Sequence, residues 1–395
     1  MSGSGAQASQ EGKQKIGCYT LFTDGDMISI DIGKDKIRGD REAMRNWLVQ
    51  AKEEGTSDIF LGAYRHVTFK KSGVLTPQGS EYITDIKAME LIIGLYELAK
   101  RPMDHYLRTG DDDFPVTIPG LARFRVNTYR QRGSMAAIIR IVPFGIPVYK
   151  DLSIPDEVMS IANELNGLAL VTGPAGSGKS TTLACVIDAI NQSRNAHIIT
   201  LEDPIEYIHK DSKSLISQRE IAADTNSYMD ALRASLRQAP DIILLGEMRD
   251  SETIKTAMTA AETGHLVIST LHTTGAANTV DRIIDIFPPA QQQQIRVQLS
   301  MSLRIVVTQR LLPCISGKSL PAFEIMRVNN AISNIIREGK THQIDGVIQT
   351  SGGDGMIGMD AYIMRLFRNG DITAETALMN ASNTDTMQRQ INAAK

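Results

Sequence analysis

The chain has 395 residues, 42% hydrophobic and 22% charged, which is enough for two or three domains with cores of their own and unlike a disordered or fibrous chain. Its 42 Lys and Arg against 45 Asp and Glu give a formal charge of −3, without the basic run that tracks a nucleic-acid backbone. Cys18, Cys185 and Cys314 are odd in number and far apart, so they spell neither a paired zinc motif nor a disulfide framework, and a reducing compartment is expected.

Residues 1–15 are rich in Gly, Ser, Gln and Lys and lack an apolar signal core, so they read as a flexible leader. No apolar run reaches the roughly 18 residues of a membrane span. The expectation is a cytoplasmic protein that touches a membrane only through partners. An N-terminal domain is expected over residues 16–145. It opens with a hairpin in IGCYTLFTDGDMISIDIGKDKI, where Asp24-Gly25 suits a turn that needs positive φ. Met44, Leu48 and Ala51 then recur at helical spacing over residues 41–54, with Gly55 as a stop, and strands resume in DIFLGAYRHVTFKKSGVL. From Ala122 to Pro143, two strand-like halves flank Gly133, and Arg residues on one face suggest an exposed or interface sheet.

Pro143, Pro147 and Pro155 break regular structure, and a linker is placed over residues 146–156. Beyond it, in 157–395, the apolar runs Leu168–Thr172, Ile198–Leu201, Ile242–Leu245 and Leu266–Thr270 alternate with amphipathic helical stretches. That is the pattern of a mostly parallel sheet covered on both faces. After about Ala290 the strand signal fades and helical spacing dominates.

The run Gly173-Pro174-Ala175-Gly176-Ser177-Gly178-Lys179-Ser180 follows a strand and precedes a helix, the context a phosphate-binding P-loop requires. Its glycines let backbone N–H groups close on phosphate at the positive end of the helix. Lys179 would bridge the β and γ phosphates and Ser180 would offer its hydroxyl to Mg²⁺. Two acidic clusters end the next strands, Glu202-Asp203-Pro204-Ile205-Glu206 and Gly246-Glu247-Met248-Arg249-Asp250. Ligands sit at the carboxyl ends of parallel strands, so Glu202, Asp203, Glu206 and Glu247 can all face the loop. Which is base and which holds metal stays open, because Gly246-Glu247 stands where an Asp commonly ends the apolar run. His272 closes a further strand beside the same place and can report the γ-phosphate; His265 is as readily structural.

In this order, GPAGSGKSTTL, EDPIE, GEMRD and GHLVISTLHTT resemble the Walker A, Asp box, Walker B and His box of the type II and type IV pilus secretion ATPases, most closely the PilT-type twitching-motility members. The resemblance spans about Ser57 to Asp371. It implies an α/β protein: a PAS-like α+β N-terminal domain, which GLARFRVNTYRQRG resembles, then a RecA-like P-loop NTPase domain with a helical C-terminal part. It further implies a homo-hexamer that hydrolyses ATP with Mg²⁺ to drive pilus retraction. Such a ring works against an inner-membrane platform protein at the inner face of the cytoplasmic membrane, without direct nucleic-acid contact.

The resemblance puts residues 173–181, from Gly173 to Thr181, on nucleotide, and Ser180, Glu202, Asp203 and Glu247 around the metal. Glu206, Glu247 and His272 become catalytic, and Arg123, Arg125, Arg140 and Arg237 match positions that reach nucleotide across interfaces. The family's assembly and secretion motors usually carry a four-cysteine zinc element, absent here. AISNIIRE, Ala331 to Glu338, resembles the retraction signature AIRNLIRE with Ser333 in place of the first Arg. A pilus-assembly or secretion motor, and a nucleotide-gated scaffold, are the alternatives. Residues 1 to about 40 exceed what these relatives carry.

Overall fold

The computed structural model describes residues 12–16, 19–32, 35–71, 73–142 and 145–394; Cys18 and residues 1–11 lie outside these. The chain divides into two compact units, one ending at residue 144 and the other beginning at Gly145.

The first unit opens with β1 (Gly12–Ile16), β2 (Tyr19–Asp24), β3 (Met27–Ile32) and β4 (Asp35–Arg38), an antiparallel sheet in chain order. The expected hairpin is β2–β3. Its two central residues are Gly25 and Asp26, with Asp24 opposite Met27, and Gly25 takes φ 58° at the first central position. The flexible leader expected through residue 15 is corrected here. Gly12–Ile16 is a strand, with Lys13 opposite Phe22 and Lys15 opposite Thr20; pairing with β2 supplies order that GKQKI lacks in apolar residues.

Next come α1 (Arg41–Glu53), β5 (Asp58–Gly62), β6 (Val67–Lys71), β7 (Val74–Gln78), α2 (Asp85–Ala99), α3 (Asp104–Thr109), β8 (Asp111–Ile118), β9 (Ala122–Gln131) and β10 (Ser134–Val142). Asp40 caps α1 by accepting from the Ala43 amide at 2.9 Å, and Met44, Leu48 and Ala51 form its buried stripe. The larger sheet runs β7-β6-β5-β10-β9-β8. Helix α2 is buried on nearly every side from Ala88 to Glu97, which a helix tolerates only between two layers. It packs against β8 and β10 of the large sheet and against β3 and β4 of the small one. The buried Glu97 carboxylate accepts from the Ile28 amide at 2.8 Å, tying the small sheet to α2.

The second unit contains α4 (Asp156–Met159), β11 (Gly167–Thr172), α5 (Lys179–Ser193), β12 (His197–Glu202), β13 (Leu215–Glu220), α6 (Tyr228–Ser235), β14 (Ile242–Leu245), α7 (Ser251–Glu262), β15 (Leu266–Leu271), α8 (Ala276–Asp285) and α9 (Pro289–Ser302). After these come β16 (Leu303–Pro313), β17 (Ser319–Arg327), α10 (Asn330–Glu338), α11 (Ile344–Thr350), α12 (Met359–Arg368), α13 (Ala374–Asn380) and α14 (Thr384–Ala394). The sheet order is β13-β12-β14-β15-β11-β16-β17, parallel except for the β16–β17 pair. Side chains alternate between two apolar layers. Ala169, Val171, Ile198, Ile268 and Val307 face one, with Val186 and Ile190 of α5; Leu168, Leu170, Ile199, Val267 and Val306 face the other, with Ile254 of α7 and Val280 of α8.

The four expected strands are β11, β12, β14 and β15. The fading of strand signal after Ala290 is corrected: β16 and β17 extend the sheet past β11. Ile305, Val306 and Val307 are all fully buried, and a strand covered on both faces loses the alternation that marks it.

Candidate functional site

The P-loop joins β11 to α5, with β15 on one side of β11 and β16 on the other. Strand β16 braces it. Thr172 and Thr308 share a hydroxyl hydrogen bond at 2.9 Å, and Thr182 donates to the Gln309 side chain at 2.7 Å. Gly173 has φ 140°, and a Cβ there would stand 2.2 Å from the Gln309 carbonyl oxygen, so no L side chain fits. Lys179, 8% exposed, donates its ammonium to the Gly173 and Pro174 carbonyls at 2.9 Å each. Burial holds this lysine below its ordinary range, while the carboxylates of Glu206 and Glu247 pull it back up. The Ser177 hydroxyl is buried with no hydrogen-bond partner.

Lys179 and Ser180 share one cleft of about 280 Å³ with Glu202, Asp203, Glu206, Glu247 and His272. The two acidic clusters and the histidine thus converge on the loop, coming from the ends of β12, β14 and β15. Glu247 is nearly buried; its Oε1 pairs with Arg249 at 2.5 Å and its Oε2 lies 3.6 Å from His272 Nε2. Thr270 donates to the Gly246 carbonyl at 2.6 Å, fastening the ends of β14 and β15 together. Glu202 is different from its neighbours. Burial raises its carboxyl above the usual range, against hydrogen bonds from Thr200, Gln218 and the Glu206 amide. Asp203, joined to Pro204 by a cis peptide bond, and Glu206 are exposed.

Among the described residues no group of three or more His, Cys, Asp or Glu side chains is arranged to hold a metal ion. Mg²⁺ keeps several waters and is carried largely by substrate phosphates plus one or two carboxylates. The donor set fits such a cation with a polyphosphate: an unpartnered Ser177 hydroxyl, the Ser180 hydroxyl, a lysine and hard oxygen donors around one cleft.

Not every expected residue gathers there. Thr181 bonds Tyr207 at 2.9 Å, beside the cleft. Arg237 is exposed just beyond α6 and does not line it. Arg123, Arg125 and Arg140 belong to the first unit, on one face of its large sheet, with Arg125 opposite Arg140. Arg140 pairs with the buried Asp58 at 2.8 Å, and Arg123 reaches Thr117 at 3.5 Å. His265 is structural, its Nδ1 donating to the Ala260 carbonyl at 3.0 Å. The cleft also takes in Tyr207, His209 and Tyr228, which sequence reasoning missed. Burial pushes His209 down to about 4, so it is neutral at physiological pH. Its place three residues past Glu206 was a signal of sorts; Tyr228 sits in no motif.

A parallel sheet wound on both faces, with a P-loop and convergent carboxylates at its carboxyl edge, defines a P-loop nucleoside-triphosphate-binding domain. The family model for type II/IV secretion system proteins matches residues 41–389, and the chain belongs to that family. It is 47% identical to a twitching motility protein of Neisseria gonorrhoeae, over 71% of this chain and 76% of that one. It is 45% identical to the type IV pilus retraction ATPase PilT of Pseudomonas aeruginosa, over 84% and 95%. A crystal structure of the pilus retraction motor PilT with bound ADP superposes at a TM-score of 0.82 and 41% identity, covering 89% of this chain and 99% of that one. The small sheet β1–β4 lies wholly before residue 41, where the family match begins.

Proposed function

We propose that this protein is an ATPase motor of type IV pilus retraction, working as a homo-hexamer with Mg²⁺ at the cytoplasmic face of the inner membrane. The convergence of Lys179, Glu206, Glu247 and His272 on a single cleft carries the reading, and its relatives supply the kind of work. Lys179 would exchange its two loop carbonyls for phosphate oxygens, and Ser177 would gain the partner it lacks. Mg²⁺, when bound, neutralises phosphate charge; Ser180, Asp203 and Glu247 are the residues to hold it, since Glu202 is engaged by Thr200, Gln218 and the Glu206 amide.

Glu247 Oε1 is taken by Arg249, so Glu206 would polarise the attacking water, while Glu247 Oε2 would orient metal and water. His272, beside Glu247 and 59% exposed on its side chain, would register the γ-phosphate. Arg123, Arg125, Arg140 and Arg237 would complete sites across interfaces, where an arginine stabilises charge in phosphoryl transfer. Residues 146–156 would be the linker that passes nucleotide state to the first unit, and an inner-membrane platform protein the load. The resemblance of AISNIIRE, in helix α10, to the retraction signature supports retraction rather than assembly; Ser333, where the two differ, donates to the Ser300 carbonyl of α9 at 2.8 Å.

The test is genetic and biochemical together. Deletion should leave surface pili that accumulate and do not retract. Lys179→Ala should fail to restore retraction, while Glu247→Gln should retain bound ATP. Loss of surface pili on deletion would point instead to assembly, and normal retraction would refute the reading.

A further inference from the structure

Tyr228 opens α6, which Ser227 caps by accepting from the Asp230 amide at 3.1 Å. Its ring packs against the apolar layer that contains Leu201, Leu232 and Leu245, and its other end reaches the cleft of Lys179 and Glu247. The hydroxyl lies over the backbone of Gly246, the residue before Glu247: a Cβ at that position would stand 2.7 Å from the hydroxyl and 3.1 Å from the Leu201 carbonyl. A bare glycine therefore makes room for it.

Among the described residues this hydroxyl has no hydrogen-bond partner, whereas the other tyrosine of the cleft, Tyr207, is tied to Thr181. Burial and the carboxylates of Asp203, Glu247 and Glu202 all keep the phenol protonated, against the opposing pull of Arg249. A neutral hydroxyl is both donor and acceptor. In an acidic cleft it can donate to a carboxylate and accept from a water at once.

We propose that Tyr228 is a positioning residue for hydrolysis, its hydroxyl orienting the attacking water beside Glu247. The inference rests on the reading of the cleft as an ATPase site. The hydroxyl oxygen accepts a hydrogen bond from one O–H of the water and the Glu206 carboxylate accepts one from the other, so a lone pair of the water faces the γ-phosphorus. The new O–P bond forms as the bond to the β–γ bridging oxygen breaks. ADP leaves with those electrons and the water's proton passes to the carboxylate; the tyrosine keeps its own proton.

Tyr228→Phe removes the hydroxyl and keeps the ring. Steady-state hydrolysis of Mg-ATP by the full chain, beside direct binding of ADP, separates positioning from structure. We expect kcat to fall about tenfold, the scale of one hydrogen bond in a charged site, with KM and ADP affinity within twofold of the parent. An unchanged kcat in an active parent would overturn this inference and leave the ATPase reading standing. So would a joint loss of kcat and ADP affinity, which marks a packing role. A parent that binds ADP but releases no phosphate under any condition would overturn the ATPase reading, and this inference with it.

Discussion

Two alanine substitutions in one loop separate the geometry of the P-loop from its composition. Gly173 and Gly176 both have positive φ, 140° and 75°, but a Cβ at Gly176 meets nothing within 4 Å, whereas one at Gly173 meets the Gln309 backbone oxygen at 2.2 Å. For Gly176→Ala the cost is the left-handed conformation alone, about 1–2 kcal/mol, or a loss of roughly 5- to 30-fold in nucleotide affinity. Gly173→Ala adds a clash with a strand that cannot yield. Backbone strain of about 1–3 kcal/mol and overpacking of about 1–3 kcal/mol together give roughly 2–6 kcal/mol, near a thousandfold at mid-range. Titration of each variant with a fluorescent ADP analogue, beside thermal melts to confirm folding, measures both. Equal losses in the two variants, or tight binding by Gly173→Ala, would refute the claim that β16 shapes the phosphate cradle.

Two predictions concern stability. His209 titrates near 4 when folded and near 6.5 when unfolded. The unfolded chain therefore binds the extra proton first as pH falls, and folding stability declines from about pH 6.5 down to about 4; His209→Asn should flatten that decline in urea titrations, and an unaltered slope would count against it. Ile30, fully buried in the small sheet against α2, should cost about 2–5 kcal/mol as Ile30→Ala. The single tryptophan, Trp47, lies in α1 against Phe69 and reports the first unit directly. A loss under 1 kcal/mol would mean that β1–β4 is not part of that unit's core.

The site was more legible than the sheet around it. Lys179 opens the helix that follows β11, and Glu206, Glu247 and His272 come after the short apolar strands β12, β14 and β15, so their positions along the carboxyl edge of the sheet could be read from spacing. The strand that braces the loop could not. Strand β16 follows the Gln-rich helix α9 directly, is buried on both faces along Ile305–Val307, and has no period of two to distinguish it from more helix. Strand β1 fails for the opposite reason, since GKQKI offers one apolar residue and depends on β2 for its order. Helix α2 is buried on nearly every side because two sheets enclose it, and the second of these was visible only as a hairpin. Tyr228 reaches the cleft through the placement of α6 beside Gly246, a tertiary fact with no local signature.

The central claim is a ring ATPase whose sites are finished between subunits. It is tested most directly by phosphate release from Mg-ATP across a range of protein concentrations, with Lys179→Ala as the blank. The account predicts specific activity that rises with concentration to a plateau and is absent in the Lys179→Ala chain. Activity per molecule that is flat from the most dilute sample upward would contradict completion between subunits, and phosphate release that survives Lys179→Ala would contradict the site itself.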